Sequence, residues 1–160
     1  MNQPRLATKN DMPRVLELIK ELAVFEKEPD AVEVTVSDLQ NDGFGDKPKF
    51  TCFVLEIDGV VEGIALVYSR YSTWKGEAIH LEDLIVSHKH RGKGLGSLLL
   101  DEVVKYAYQK KVRRVCWEVL DWNTSAIDFY ESKGANVMRD WDVVQLDEKG
   151  INNYVKNITS

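Results

Sequence analysis

Arg91-Gly92-Lys93-Gly94-Leu95-Gly96 follows an apolar, strand-like run and opens a stretch of helical period. Glycines let a backbone turn tightly and approach a ligand, and the unsatisfied N–H groups of a starting helix, with the positive end of its dipole, favour an anion. Lys89, Arg91 and Lys93 add positive charge locally to a chain whose formal net charge is -5. A phosphate or pyrophosphate is the ligand this arrangement suits; the bland alternative is a strand-to-helix turn that needs its glycines for geometry alone. The Gly-Lys-Ser/Thr ending of a nucleotide-hydrolysing P-loop is missing, because Gly96 is followed by Ser97 and Leu98. Gly92, Gly94 and Gly96 read Gly-x-Gly-x-Gly, the wrong spacing for a dinucleotide fingerprint, although Glu118 lies about 20 residues on, where that fold carries an acid.

Other residues have types suited to proton transfer or cation binding. Glu82 and Asp83 interrupt the apolar run from Ala78 to Val86. Carboxylates there need a partner, and strict strand alternation would send the two to opposite faces. His80 shares the Glu82 face, where it either orients that carboxylate or packs. Tyr130 falls at helical spacing with Ala126 and Ile127 and by spacing alone reads as core packing. Asn123 reads as a helix N-cap and Lys133 as a solvated lysine at the helix end. His88 and His90, without neighbouring cysteine or carboxylate ligands, make a weak metal motif, so no metal site is expected.

The elements that must position these residues can be read from periodicity. A short strand at Arg5 to Thr8 precedes a helix capped by Asn10, with Val15, Leu18, Ile19, Leu22 and Phe25 along its apolar stripe. A second short helix falls near Ser37 to Gln40. Strands at Phe50 to Ile57 and Val60 to Tyr68 flank Asp58-Gly59, a hairpin signal, and a third runs from Ala78 to Val86. The helix opened by the glycine loop carries Leu95, Leu99, Val103, Tyr106 and Ala107 on one face. Val115 to Leu120 reads as a strand, and a helix from Asn123 stops at Gly134. Two final strands, Asn136 to Met138 and Asp142 to Leu146, complete the order β-α-α-β-β-β-α-β-α-β-β. The class is α+β, with a mixed, mostly antiparallel sheet flanked by helices.

The loop at residues 91–96, with Asn123, Ala126, Tyr130, Gly134 and Ala135, resembles the two signature motifs of the GCN5-related N-acetyltransferases. Leu81-Glu82-Asp83 before Leu84-Ile85-Val86, together with Asp42-Gly43-Phe44-Gly45, is similar to the diamine acetyltransferase branch. Tyr71-Ser72-Thr73-Trp74-Lys75-Gly76 and Val119-Leu120-Asp121-Trp122-Asn123 are closer to its thialysine subtype. The resemblance implies acetyl-coenzyme A as donor. Its pyrophosphate would meet the backbone of Gly92, Lys93, Gly94, Leu95, Gly96 and Ser97, helped by Arg91 and Lys93. Its pantetheine arm would pair with Leu84, Ile85 and Val86 like an added strand, and the Val86 and Val115 ends of neighbouring strands would separate to admit it. Asn123 and Lys133 would assist.

The same resemblance makes Glu82 the general base and Tyr130 the general acid, and gives Phe25, Glu26, Trp74 and Asp83 to the amine. In the polyamine enzymes an aspartate stands where this chain has Ser72, so the loss of one negative charge favours a thialysine-like amino acid or a short diamine. A homodimer is implied, as is a small-molecule amine as partner. Another acceptor on the same fold, such as a polyamine or peptide amine, and a non-catalytic coenzyme A sensor are the alternatives.

The whole chain bounds these readings. Its 160 residues, 44% hydrophobic, suit one domain spanning residues 1–160. A pI near 5.3 offers no broad electrostatic footprint for nucleic acid or an anionic membrane. Cys52 and Cys116 lie in apolar runs and read as reduced thiols, which, with no apolar leader or span in the sequence, implies a cytoplasmic protein.

Overall fold

The structure, a computed structural model, describes residues 2–159. Five strands, β1 (Arg5–Leu6), β2 (Thr51–Ile57), β3 (Val60–Ser72), β4 (Gly76–Val86) and β5 (Val115–Cys116), form one sheet in chain order. The first three pairings are antiparallel and β4–β5 is parallel. The helices are α1 (Met12–Phe25), α2 (Val36–Phe44), α3 (Leu95–Gln109), α4 (Thr124–Ser132) and α5 (Glu148–Thr159). The chain separates into two compact units, Met1–Glu118 and Val119–Ser160, and the sheet belongs to the first.

In the first unit Asp58 (φ 51°) and Gly59 (φ 78°) both adopt the left-handed conformation that joins β2 tightly to β3. One sheet face packs Cys52, Val54, Ile64, Leu66 and Ile85 against Met12, Val15, Leu16 and Leu18 of α1 and Leu39 of α2. Thr35 and Asp38 close a reciprocal capping box that starts α2. The other face receives Leu99 and Val103 of α3, both fully buried. A side chain at Gly63 would meet Leu99 Cδ1 at 2.9 Å and the Ile85 carbonyl at 3.3 Å, so this glycine sets how closely α3 lies on β3.

In the second unit Asn123 Oδ1 accepts from the Ala126 N–H (3.3 Å) and starts α4. Gly134 (φ 91°) ends it: Gly134 N–H bonds to the Glu131 carbonyl and Ala135 N–H to that of Tyr130, the two-bond closure of a helix C-terminus. The strands expected at Asn136 to Met138 and Asp142 to Leu146 do not form, and β5 stops at Cys116 instead of Leu120. Alternating apolar residues create a preference, but a strand also needs a ladder, and the described residues of this unit contain no other strand. The chain ends instead in α5, which the sequence reading missed. Its start is capped by Asp147, whose Oδ1 accepts from Gly150 N–H (2.8 Å). Ile151, Tyr154, Val155 and Ile158 stand at helical spacing along it.

Gly63→Val should lower stability by about 1–3 kcal/mol, because overpacking forces α3 from the sheet or drives Leu99 off its rotamer. A urea midpoint equal to that of the parent protein would mean the α3–β3 interface is looser than these distances imply.

Candidate active site

β4 changes character along its length. It pairs with β3 from Gly76 to Val86, but with β5 only through Ile79↔Val115 and His80↔Cys116. From Leu81 to Val86 its outer edge therefore has no β5 partner, and Leu84, Ile85 and Val86 lie on that stretch. The parting opens just beyond Cys116, so the separation expected at Val115 does not occur there: Val115 stays paired with Ile79, because the two parallel strands diverge toward their C-terminal ends. At the same place the β3–β4 register slips between Leu66↔Asp83 and Val67↔Leu81, leaving Glu82 as an extra, bulged residue. Bulges re-aim side chains. Cross-strand partners share a face, so Asp83 opposite Leu66 and His80 opposite Tyr68 both lie on the α1 side of the sheet. Glu82 joins them, with Oε2 3.4 Å from His80 Nε2. The expectation that Glu82 and Asp83 point to opposite faces fails for this reason: alternation holds only in an unbulged strand.

The end of α1 supplies the third carboxylate. Lys27, at φ 63°, takes the left-handed position that usually goes to glycine; its N–H bonds to the Val24 carbonyl, and that of Glu28 to the Ala23 carbonyl. This closure fixes Phe25 and Glu26 at the helix exit. Glu26 is half-buried, and burial raises its pKa above the usual carboxylate value. Asp83, also half-buried, is pushed up to about 6, first by burial and then by the negative charges of Glu82 and Glu26. Asp83 therefore sits beside two further carboxylates, a local concentration of negative charge that favours a positively charged neighbour.

Behind Glu82 a small polar group is held in the sheet. His80, 5% exposed, has Nδ1 3.5 Å from Cys116 Sγ, and the Tyr68 ring lies 5.0 Å away. Both cysteines are free. Burial pushes the Cys52 thiol up to about 12, with added effects from Asp11 and Asp83, which makes it a poor nucleophile.

At the far end of β4, residues 88–90 make a 3-10 turn and the glycine loop leads into α3. Gly92 (φ 76°) and Gly94 (φ 80°) are left-handed, and an added Cβ at either would meet open space, so backbone conformation is what requires glycine here. Gly94 is the N-cap and gives α3 no side-chain cap. Leu95 is buried and anchors the helix start, while a Cβ at Gly96 would come 3.9 Å from Val86 Cγ2. The local cations are not equivalent. Lys93 is exposed, its Nζ 3.4 Å from His90 Nδ1; the Arg91 guanidinium lies 4.9 Å above the Phe25 ring; Lys89 is ion-paired with Glu62 at 2.9 Å.

Trp74 stands at the tip of the β3–β4 hairpin, 76% exposed, and not within a pocket wall. Ser72 Oγ accepts from the N–H groups of Trp74 (3.2 Å) and Lys75 (3.1 Å) and so shapes that tip. In the second unit Tyr130 is half-buried on α4, its ring 5.4 Å from Phe129, and Lys133 Nζ lies 5.8 Å over Phe129. Asn123 and Gly134 have the capping roles described above. Among the described residues no group of three or more His, Cys, Asp or Glu is placed to hold a metal ion.

Residues 12–135 match the model of the acetyltransferase (GNAT) family. The chain belongs to this family. It is 40% identical over 139 residues to the thialysine N-epsilon-acetyltransferase of Bos taurus, covering 82% of each protein. The L-ornithine N5-acetyltransferase of Arabidopsis thaliana is 31% identical over 188 aligned positions, covering 89% of this chain and 82% of that one. An integron cassette protein of V. cholerae shares the fold, with a TM-score of 0.79 at 22% identity over 97% of this chain and 98% of its own. The protein is thus an N-acetyltransferase with the GNAT fold, and acetyl-coenzyme A is the family's co-substrate. No helix among the described residues is long and apolar enough to cross a membrane.

Asp83→Asn should make stability less dependent on pH. Asp83's proton is held more tightly when folded (about 6) than at its ordinary value of 3.8, so its contribution is intact below about pH 4 and lost as pH rises through 6. At pH 7 the variant should be the more stable by about 3 kcal/mol, since one unit of pKa is worth about 1.4 kcal/mol, and at pH 4 the two should agree. Parallel curves of stability against pH would show that Asp83 is not compressed against its neighbours.

Proposed function

We propose that this protein transfers an acetyl group directly from acetyl-coenzyme A to a short primary amine, a thialysine-like amino acid or a short diamine. The observation that carries the reading is the meeting of Glu26, Glu82 and Asp83 beside the parted edge of β4. That edge and the glycine loop fit the co-substrate: Leu84, Ile85 and Val86 would take the amide arm, and the N–H groups of Gly92, Lys93, Gly94, Leu95, Gly96 and Ser97 the pyrophosphate. Arg91 and Lys93 supply charge, and Asn123 and Lys133 are the second unit's candidates for the same ligand. When bound, the co-substrate supplies a thioester open to attack by an amine.

The remaining chemistry belongs to the chain. A primary ammonium with a pKa near ~10 has to lose a proton before attack, and Glu82, 54% exposed on its bulge, can accept it directly or through water. Asp83 and Glu26 hold the amine's charged end, and Phe25 lies next to its methylenes. The Tyr130 hydroxyl is the candidate to protonate the departing thiolate. The names of the thialysine and ornithine relatives support an amino-acid or diamine acceptor. The serine at position 72 supports a lower charge than a polyamine carries. We treat residues 1–160 as one acetyltransferase domain, since the family match crosses both units. A homodimer gives the exposed Trp74 a role in a groove shared between subunits, and two free thiols suit a cytoplasmic protein.

Thialysine, lysine, short diamines, spermidine and spermine should be compared with acetyl-coenzyme A by following thiol release. Thialysine or a short diamine is expected to react fastest. Preference for spermine would reject the role of Ser72, and coenzyme A binding without turnover of any amine would favour a sensor.

Glu82→Gln should reduce turnover at neutral pH by about 10²-fold and recover in part as pH rises, because more amine then arrives deprotonated. A pH–rate profile parallel to the parent's would make Glu82 structural.

A further inference from the structure

Glu62 is the charged side chain that the candidate chemistry leaves unused. It lies on β3 within the run Val60 to Leu66 and is 1% exposed. A carboxylate withdrawn from water survives as an anion only when paired and hydrogen-bonded. Its partners come from two other parts of the fold. Arg14 of α1 donates Nη2 to Glu62 Oε2 (3.0 Å), with Arg14 Nε on the Val61 carbonyl (2.9 Å). Lys89, from the turn before the glycine loop, places Nζ 2.9 Å from Glu62 Oε1. Burial opposes ionisation, but Ser87, Lys89 and Arg14 together outweigh it and hold the carboxyl down at about 2. The Ser87 hydroxyl is buried without a well-formed hydrogen bond of its own, yet it is near enough to favour the anion.

The same turn is fastened at almost every residue. Ser87 N–H bonds to the Glu62 carbonyl (2.8 Å), His88 N–H to Glu21 Oε1 of α1 (2.6 Å), and Arg91 stacks on Phe25. Beyond it, Gly92 and Gly94 have open space on their Cβ sides and no side chain to anchor them. The loop is therefore held from its two ends, by this turn on one side and by the buried Leu95 of α3 on the other.

We propose that Glu62 is a positioning residue for the anion-binding loop: its buried carboxylate clamps Lys89 to α1 through Arg14 and so sets the loop's backbone N–H groups for the co-substrate's pyrophosphate. The proposal rests on the reading of residues 91–96 as the coenzyme A site. Lys89 thereby acts on the co-substrate through Glu62 and not by touching phosphate.

Glu62→Gln keeps the shape and removes the charge; Lys89→Met cuts only the tie to the turn. Each should raise the coenzyme A Kd and the acetyl-coenzyme A KM about tenfold, with the amine KM within about twofold of the parent's. The double variant should be no worse than Glu62→Gln alone, because Lys89→Met removes a tie that variant has already lost. In the protein without ligand, amide exchange across residues 87–91 should accelerate in Lys89→Met, a readout that remains if Glu62→Gln does not fold. An equal further loss from Lys89→Met in the Glu62→Gln background would mean Lys89 binds phosphate directly and would overturn the clamp. Unchanged affinity in folded variants, or unchanged exchange, would overturn it as well. Should the parent protein not bind coenzyme A at all, the cofactor reading fails, while the exchange measurement still judges the clamp.

Discussion

A β-strand in the middle of a sheet ordinarily has both edges hydrogen-bonded, and the candidate site depends on β4 breaking that rule. Its inner edge is paired with β3 at every residue but the bulged Glu82, while β5 leaves its outer edge after His80 and Cys116. Unpaired N–H and C=O groups in a sheet invite another extended chain. In an acetyltransferase the pantetheine amides are suited to be that chain. On the opposite edge, at the same point along β4, Glu82 bulges from the β3 ladder and brings its carboxylate to His80.

Two kinds of carboxylate sit in this sheet, and their environments give them opposite behaviour. Burial holds the protons of Asp83 and Glu26 more tightly than usual, and at Asp83 the negative charges of Glu82 and Glu26 add to it. Glu62 is more deeply buried than either, yet Arg14 and Lys89 keep it ionised. Burial raises the pKa of all three, and it is overcome only at Glu62, where Ser87 and two cations favour the anion. One group has carboxylates for neighbours, whereas the other is already paired with cations.

The sequence reading found the glycine loop, the acids of β4 and the α4 motif, since each is a local pattern of residue types. It passed over Glu62, although an acid in the apolar run Val60 to Leu66 is the same signal that drew attention to Glu82. It also credited Lys89 to the anion site, whereas its ammonium is committed to Glu62. Ion pairs between residues 27 positions apart follow from the path of the chain and leave no local trace. The α5 helix, in contrast, was legible from Asp147 and the spacing of Ile151, Tyr154, Val155 and Ile158.

Local rules settled what could be settled by neighbours in the chain: the hairpin at Asp58-Gly59, the cap at Asn123, the end of α4 at Gly134, and the need for glycine at 92 and 94, although α1 follows Asp11 and not the expected Asn10 cap. Hydrophobic period fixed which faces of α1 and α3 meet the sheet. Register, strand pairing and charge neutralisation were decided only in three dimensions, because each depends on a partner distant in sequence. That is why the segments near 137 and 144 alternate like strands yet form none, why β5 is two residues long, and why Glu82 and Asp83 share a face that simple alternation would have denied them.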